Sequence, residues 1–194
     1  MRWPIVKPRV RTVNANRIDT ERLILRTPNP DYASEISRMI GNWRVAHWLV
    51  RVPYPYRIEH AVAWIERSNE ERAAGVGWPF LIIRRDGNEM VGSIDLSIDD
   101  DNRSSGAIGY WLGEDYWGHG YGTEAARAII GFAFGILRLE EVTANALPDN
   151  DRSIRVLEKA GLIHIGRRDE ETFERGRVET EFFALKRSSW RRSL

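Results

Sequence analysis

The sequence predicts an α/β domain of the α+β kind: a mostly antiparallel sheet with one crossover, flanked by about four helices. Three observations predict it. "WPFLIIRR" and "EMVGSIDLSI" are strand-like runs joined by Asp86, Gly87 and Asn88, a hairpin signal. "AIGYWL" then leads through a glycine-rich loop into a long apolar helix, which makes the crossover. The final stretch, "LIHIGRRDEETFERGRVETEFFALKR", reads as a second hairpin. The predicted order is β-α-α-β-β-β-α-β-α-β-β.

Each element has its local reason. "ERLILR" (21–26) is β-prone. "NPDYASEISRMIG" opens a helix with Asn29 as N-cap and Pro30 at its first position, places Tyr32, Ile36, Met39 and Ile40 at helical spacing, and closes on Gly41. "VPYPY" breaks the chain, and a second helix is expected over 59–74, with Ala61, Trp64 and Ile65 on one face. In "GSIDLSI", Ile94, Leu96 and Ile98 alternate with Ser93, Asp95 and Ser97, so one strand face is polar. The helix expected over 123–137 is apolar nearly all round and must pack on the sheet. "EEVTANAL" is the next strand, and "DNDRSIRVLEKAG" a short helix capped by Asn150 and stopped at Gly161.

The chain as a whole sets the outer bounds. Its 194 residues fit one domain, taken as 20–187 between a basic arm (1–19) and a basic tail (188–194). A hydrophobic share of 42% with 29% charged residues reads as globular and water-borne. At net charge +1 no overall field favours nucleic acid or membrane; only the arm (Arg2, Lys7, Arg9, Arg11, Arg17) and the tail offer an acidic partner anything. There is no cysteine, which removes disulfides, thiolate metal sites and a cysteine nucleophile. "MRWPIVKPRVRTV" lacks the apolar core of a secretory signal, and "AIIGFAFGIL" is too short to span a bilayer. A cytoplasmic protein, monomer or homodimer, without a metal, is the expectation.

In "YWLGEDYWGHGYGTEAARAIIGFAFGIL" (110–137) Gly118, Gly120 and Gly122 alternate with Trp117, His119 and Tyr121. A helix N-terminus carries unpaired N–H groups and roughly half a positive charge. Glycines let the backbone close on phosphate oxygens. The loop lacks the Lys-Ser/Thr ending of a nucleoside-triphosphate loop, and it does not follow the first strand of a βαβ unit as in dinucleotide folds. By itself the spacing fits either an anion site or a tight strand-to-helix turn.

This stretch resembles the acyl-CoA signature of the GCN5-related N-acetyltransferases (GNAT), whose pyrophosphate loop reads Gln/Arg-x-x-Gly-x-Gly/Ala. Trp117 stands where Gln or Arg is usual, with Gly120 and Gly122 at the glycine places. The tryptophan, "TERLILR" (20–26) and "NDRSIRVLEKAGL" (150–162) are similar to the RimJ/RimL branch of ribosomal-protein N-terminal acetyltransferases. The resemblance implies a seven-stranded sheet splayed between its fourth and fifth strands, "IGYWL" and "EVTAN". It implies acetyl-CoA, with pantetheine against the backbone of Trp111, Leu112 and Gly113, and with Asn150 turned toward it. Pyrophosphate is implied at Trp117, Gly118, His119, Gly120, Tyr121, Gly122 and Thr123.

Acetylating an amine requires a base for its proton, donors for the acetyl oxygen, and an acid or donor for the leaving thiolate. The resemblance puts the oxygen's donor in the backbone at the end of "IGYWL". Many relatives carry the thiolate's tyrosine where this chain has Leu157, so Ser153 is the candidate, unless it only completes the Asn150 cap. An acid of the final hairpin is implied as base, and Glu171 of "DEETFE" is taken, with Asp95 and Glu114 as rivals. Trp43, Trp48, Tyr54, Tyr56 and Trp64 fall in the segment that covers the acceptor in relatives. The acceptor expected is a protein N-terminal α-amine. Small amines (polyamines, aminoglycosides) and a CoA-binding sensor without catalysis are the competing expectations.

Overall fold

The computed structural model describes residues 12–172 and 176–192. Its centre is one mixed sheet of nine strands: β1 (Thr12–Asn14), β2 (Arg17–Asp19), β3 (Leu23–Arg26), β4 (Phe80–Arg84), β5 (Glu89–Ile98), β6 (Ser105–Leu112), β7 (Glu141–Ala146), β8 (Ile163–Thr172) and β9 (Gly176–Lys186). They lie in the order β1-β2-β3-β4-β5-β6-β7-β9-β8. Every neighbouring pair is antiparallel except β6 and β7, which run parallel.

The parallel pair is the crossover that the sequence predicts, and it is short. Pairing stops at Ala107 opposite Thr143, although β6 runs on to Leu112 and β7 to Ala146. Beyond that point the two strands separate into a V-shaped gap.

Six α-helices flank the sheet: α1 (Ala33–Ile40), α2 (Trp43–Ala46), α3 (Ile58–Ala74), α4 (Tyr121–Gly135), α5 (Asp151–Ala160) and α6 (Arg187–Arg192). Helix α4, buried along most of its length, packs on one face, where Ala125, Ile129 and Phe132 meet Leu25, Ile94 and Leu96. The Phe132 ring stands edge-on to Trp78 and Phe80, each centroid 6.0 Å away. Truncating such a buried ring to alanine costs about 3–5 kcal/mol. Helices α1 and α3 cover the opposite face through Ile36, Ile40, Ala61 and Ile65 on Leu81 and Ile83.

Three differences from the sequence reading have local causes. The sheet has nine strands because residues 12–19, assigned to the basic arm, form a hairpin that extends it through Ile18, fully buried against Leu25. Arg2, Lys7, Arg9 and Arg11 lie outside the described residues. Asn29 caps a single 3-10 turn, Pro30–Tyr32, before α1 begins at Ala33. Of the tail, residues up to 192 continue as α6, whose Trp190 packs 5.4 Å from Phe134.

Candidate active site

The gap between β6 and β7 has one wall of known polarity. Gly113 N–H donates to Val91 O at 3.0 Å, so in an antiparallel ladder the odd residues of β6 spend their backbone groups on β5. The even residues, Tyr110 and Leu112, therefore turn theirs toward the gap. Trp117 Nε1 donates to Leu112 O at 2.9 Å. Of the backbone expected to meet pantetheine, Leu112 faces the gap together with Tyr110, while Trp111 and the Gly113 N–H face β5. Sequence alone could not supply this, because it depends on which edge of the strand is already paired.

Beyond Leu112 the chain turns through residues 114–116 into the glycine loop, and α4 starts at Tyr121, two residues earlier than predicted. Gly118 and Gly120 have φ of +81° and +80°, which side chains rarely tolerate, and a Cβ at Gly118 would meet no atom within 4 Å. Gly122 is small for another reason: a Cβ there would sit 3.4 Å from Val156 and 3.5 Å from the Tyr110 ring. The first turn of α4 leaves the N–H groups of Tyr121, Gly122 and Thr123 without intrahelical acceptors. An open, left-handed backbone ahead of such donors fits a pyrophosphate.

A polar lock holds this loop. Glu124 accepts from the Thr20 hydroxyl (2.7 Å), the Arg22 backbone N–H (2.9 Å) and Arg22 Nε (2.7 Å), and Arg22 Nη1 donates to His119 O (2.9 Å). Burial pushes the Glu124 carboxyl up, but these donors and the Arg22 charge outweigh it and hold its pKa below the usual range. His119 stacks on Tyr121 with centroids 5.7 Å apart, on the loop and not among the acids described below.

Helix α5 forms the other rim. Asn150 caps it by accepting from Ser153 N–H at 3.1 Å, so the capping role expected for Asn150 is real. The Ser153 side chain is separate from that cap. Its Oγ lies 2.8 Å from the Tyr110 hydroxyl, which rises from the β6 wall, and the phenol also reaches Ser153 O at 3.3 Å. Leu157 is fully buried, so the position where relatives carry tyrosine contributes only packing. Arg152 lies over the Trp117 ring, 4.6 Å from its centroid. Trp117 stands at the Gln or Arg place of the loop, and α5 thus brings a guanidinium to the same corner. Nothing in the spacing of the sequence announces that meeting.

The candidate bases fall in different places. Glu114 is held by Arg44 Nε (2.9 Å) and Asn42 Nδ2 (2.7 Å), tying the turn after β6 to α2. Glu171 is exposed on β8 opposite Arg177. Its neighbour Glu170 is the one that meets Arg51, at 3.3 Å, and strand alternation turns Glu171 to the other side. Asp95 is on β5, directly across from Gly109 of β6 and on the face covered by α3. It keeps some accessible surface, yet its surroundings desolvate the carboxyl, and with repulsion from Glu71 this pushes its pKa up to about 7. Arg51, the Ser97 hydroxyl and Arg67 pull the other way.

On the same side of the sheet, Trp43 (48% exposed) and Tyr54 (39%) stand edge to face at 4.8 Å. Trp48 stacks loosely on His47, while Tyr56 and Trp64 pack against the α1–α3 core. Four carboxylates of this side come with arginines: Glu170 with Arg51, Glu71 with Arg67, Glu114 with Arg44, Glu35 with Arg38. Among the described residues no three His, Asp or Glu side chains gather as a metal site, and no helix is long and apolar enough to cross a membrane.

Comparison with known proteins agrees with this geometry. A family model described as an acetyltransferase (GNAT) domain matches residues 22–163. The uncharacterized N-acetyltransferase p20 of Bacillus licheniformis is 28% identical over 171 residues, 86% of this chain and 93% of its own length. The ribosomal-protein-S5-alanine acetyltransferase of Vibrio fischeri superposes with a TM-score of 0.77 at 18% identity, over 90% of this chain and 98% of that one. Mycobacterium smegmatis RimJ, solved in complex with CoA-disulfide, gives 0.75 at 23% identity, over 96% and 90%. At these identities the superpositions speak for the fold.

Proposed function

The chain belongs to the GNAT acetyltransferase family, an N-acetyltransferase drawing on acetyl-CoA, and on that premise we propose that its acceptor is the α-amine of a protein N-terminus. The observation that carries this is Asp95, poised near pH 7 across from the β6 wall of the gap. An α-amine has a pKa of about 8 and a lysine about 10.4. A lysine ammonium holds its proton about two to three units more tightly than an α-ammonium, so the α-ammonium is the easier donor to a carboxyl whose pKa burial has raised. An N-terminal α-amine suits this base, and the role goes to Asp95, desolvated across from Gly109 of β6, instead of the exposed Glu171.

The remaining roles follow from position. Acetyl-CoA supplies the activated acetyl group. The first turn of α4, with Gly118 and Gly120 ahead of it, holds the pyrophosphate. Backbone N–H groups of Tyr110 and Leu112 bind along pantetheine and accept charge developing on the acetyl oxygen. Ser153 donates to the departing sulfur. The exposed Trp43–Tyr54 pair offers apolar surface to the residues that follow an N-terminus. Two solved structures with this fold are a ribosomal-protein-S5-alanine acetyltransferase and a RimJ, which supports the same acceptor class. A polyamine fits less well, because four carboxylates of the acceptor side already face arginines.

Thiol release from acetyl-CoA tests the reading, with no protein thiol to add background. Peptides with a free α-amine should turn over, and α-blocked peptides and polyamines should not. Turnover of polyamines alone would replace the proposed acceptor. CoA binding without turnover on any amine would point to a sensor.

A further inference from the structure

The Tyr110–Ser153 contact spans the opening of the sheet: one hydroxyl stands on β6, the other on the first turn of α5. The Tyr110 ring is packed among Gly122, Val156 and Leu112 and is rooted in the main core. Its hydroxyl bonds only to Ser153 among the contacts the structure gives, at 2.8 Å to Oγ and 3.3 Å to the carbonyl oxygen.

We propose that Tyr110 is a positioning residue for the leaving group: its hydroxyl donates to Ser153 Oγ, which leaves the Ser153 proton free to point into the gap at the departing sulfur. The inference rests on the reading of Ser153 above and adds the device that orients it. A serine hydroxyl on the first turn of a helix has competing acceptors in nearby backbone carbonyls. A donor fixed against Oγ occupies one lone pair and selects the rotor state in which the serine's own proton turns away from the phenol. At 2.8 Å the contact to Oγ is the shorter of the two, and either hydroxyl could donate across it; in the proposed arrangement the phenol donates. Burial pushes the Tyr110 pKa up, against a smaller pull from Ser153, so the phenol keeps its proton throughout. It acts as a hydrogen-bond donor and not as an acid.

The bookkeeping of the step is simple. The α-ammonium first gives a proton to Asp95, which passes it to solvent; the amine nitrogen then forms the new C–N bond and gives its second proton to Asp95. The C–S bond breaks with its electron pair on sulfur, which the Ser153 O–H stabilises by hydrogen bonding. Asp95 returns its proton to solvent, and the thiolate is protonated from solvent on release.

The test is a double-mutant cycle with Tyr110→Phe and Ser153→Ala, read as kcat, as KM for acetyl-CoA, and with the seleno analogue of acetyl-CoA, whose selenolate leaves with less help. Tyr110→Phe keeps the ring and so the packing. Its kcat should fall roughly tenfold, the size of one hydrogen bond lost in the transition state, with KM little changed. Ser153→Ala should fall at least as far, the double variant no further than Ser153→Ala, and all deficits should shrink with the seleno substrate. If Ser153→Ala is impaired but Tyr110→Phe is silent, faster, or additive with it, Tyr110 only packs, or accepts from Ser153, and the inference fails while Ser153 stands. If Ser153→Ala turns over normally, the reading of Ser153 fails first and takes this one with it.

Discussion

Asp95 of β5 lies directly across from Gly109 of β6, and a Cβ at Gly109 would stand 3.0 Å from Asp95 Oδ1. The glycine leaves the place in which the carboxyl rests. Gly109→Ala should therefore displace the flexible end of Asp95 at small cost to the fold. We expect kcat to fall roughly tenfold with the melting temperature nearly unchanged, as measured by steady-state kinetics and calorimetry. A variant that melts early at full activity would uncouple the two residues.

The pH profile should follow Asp95. As a base it must be ionised, and its pKa is about 7, so kcat/KM should rise with pH through about 7. Asp95→Asn should lose roughly a hundredfold or more and flatten that limb. Its effect on stability has the opposite sign. A carboxyl with a raised folded pKa favours the fold below its unfolded value, and that contribution is lost as pH rises through about 7. Asp95→Asn should thus melt higher than the parent at pH 8, with the gain shrinking toward pH 4. Denaturation scans at both pH values check this.

Glu171 is exposed and turned away from Arg51, so Glu171→Gln should leave kcat within about twofold. A collapse of activity in that variant would restore the final hairpin as the source of the base.

The Trp117–Arg152 pair lies at the rim of the loop proposed to take the pyrophosphate. Arg152→Ala should raise KM for acetyl-CoA roughly tenfold and steepen no acceptor dependence, since the charge acts on an anion shared by every turnover. Equilibrium titration with CoA reads the same loss without catalysis.

Glu124 ties Thr20 and Arg22 to the start of α4. Glu124→Ala should destabilise by about 1–3 kcal/mol near neutrality. Because the folded pKa is lowered, this stabilisation is present above the carboxyl's ordinary pKa and is lost as pH falls through the lower folded value. The gap between parent and variant should therefore close in acid, as urea titrations at several pH values would show.

Some of this site is written in local sequence and some is not. Gly118, Gly120 and the apolar helix after them announce a tight strand-to-helix turn, because left-handed backbone and a helix start are local properties. The alternation of Ile94, Asp95 and Leu96 shows a polar strand face, but not that α3 will desolvate it. Tyr110 looks like any aromatic of a strand until β6 parts from β7 and α5 comes beneath it. Arg152 looks like a solvated cation of a short helix until Trp117 is set beside it. The hairpin of residues 12–19 escaped because its strands are three residues each and their pairing is decided by β3. What the sequence hides in each case is a relation between elements distant in the chain.

The central claim is best tested by locating the acetyl group. A peptide with one free α-amine and one internal lysine would be incubated with acetyl-CoA and the protein, and the product mapped by fragmentation mass spectrometry. The account predicts acetyl on the α-nitrogen with the lysine untouched. Acetyl on the lysine, with the α-amine left free, would contradict both the acceptor and the matching of Asp95 to it.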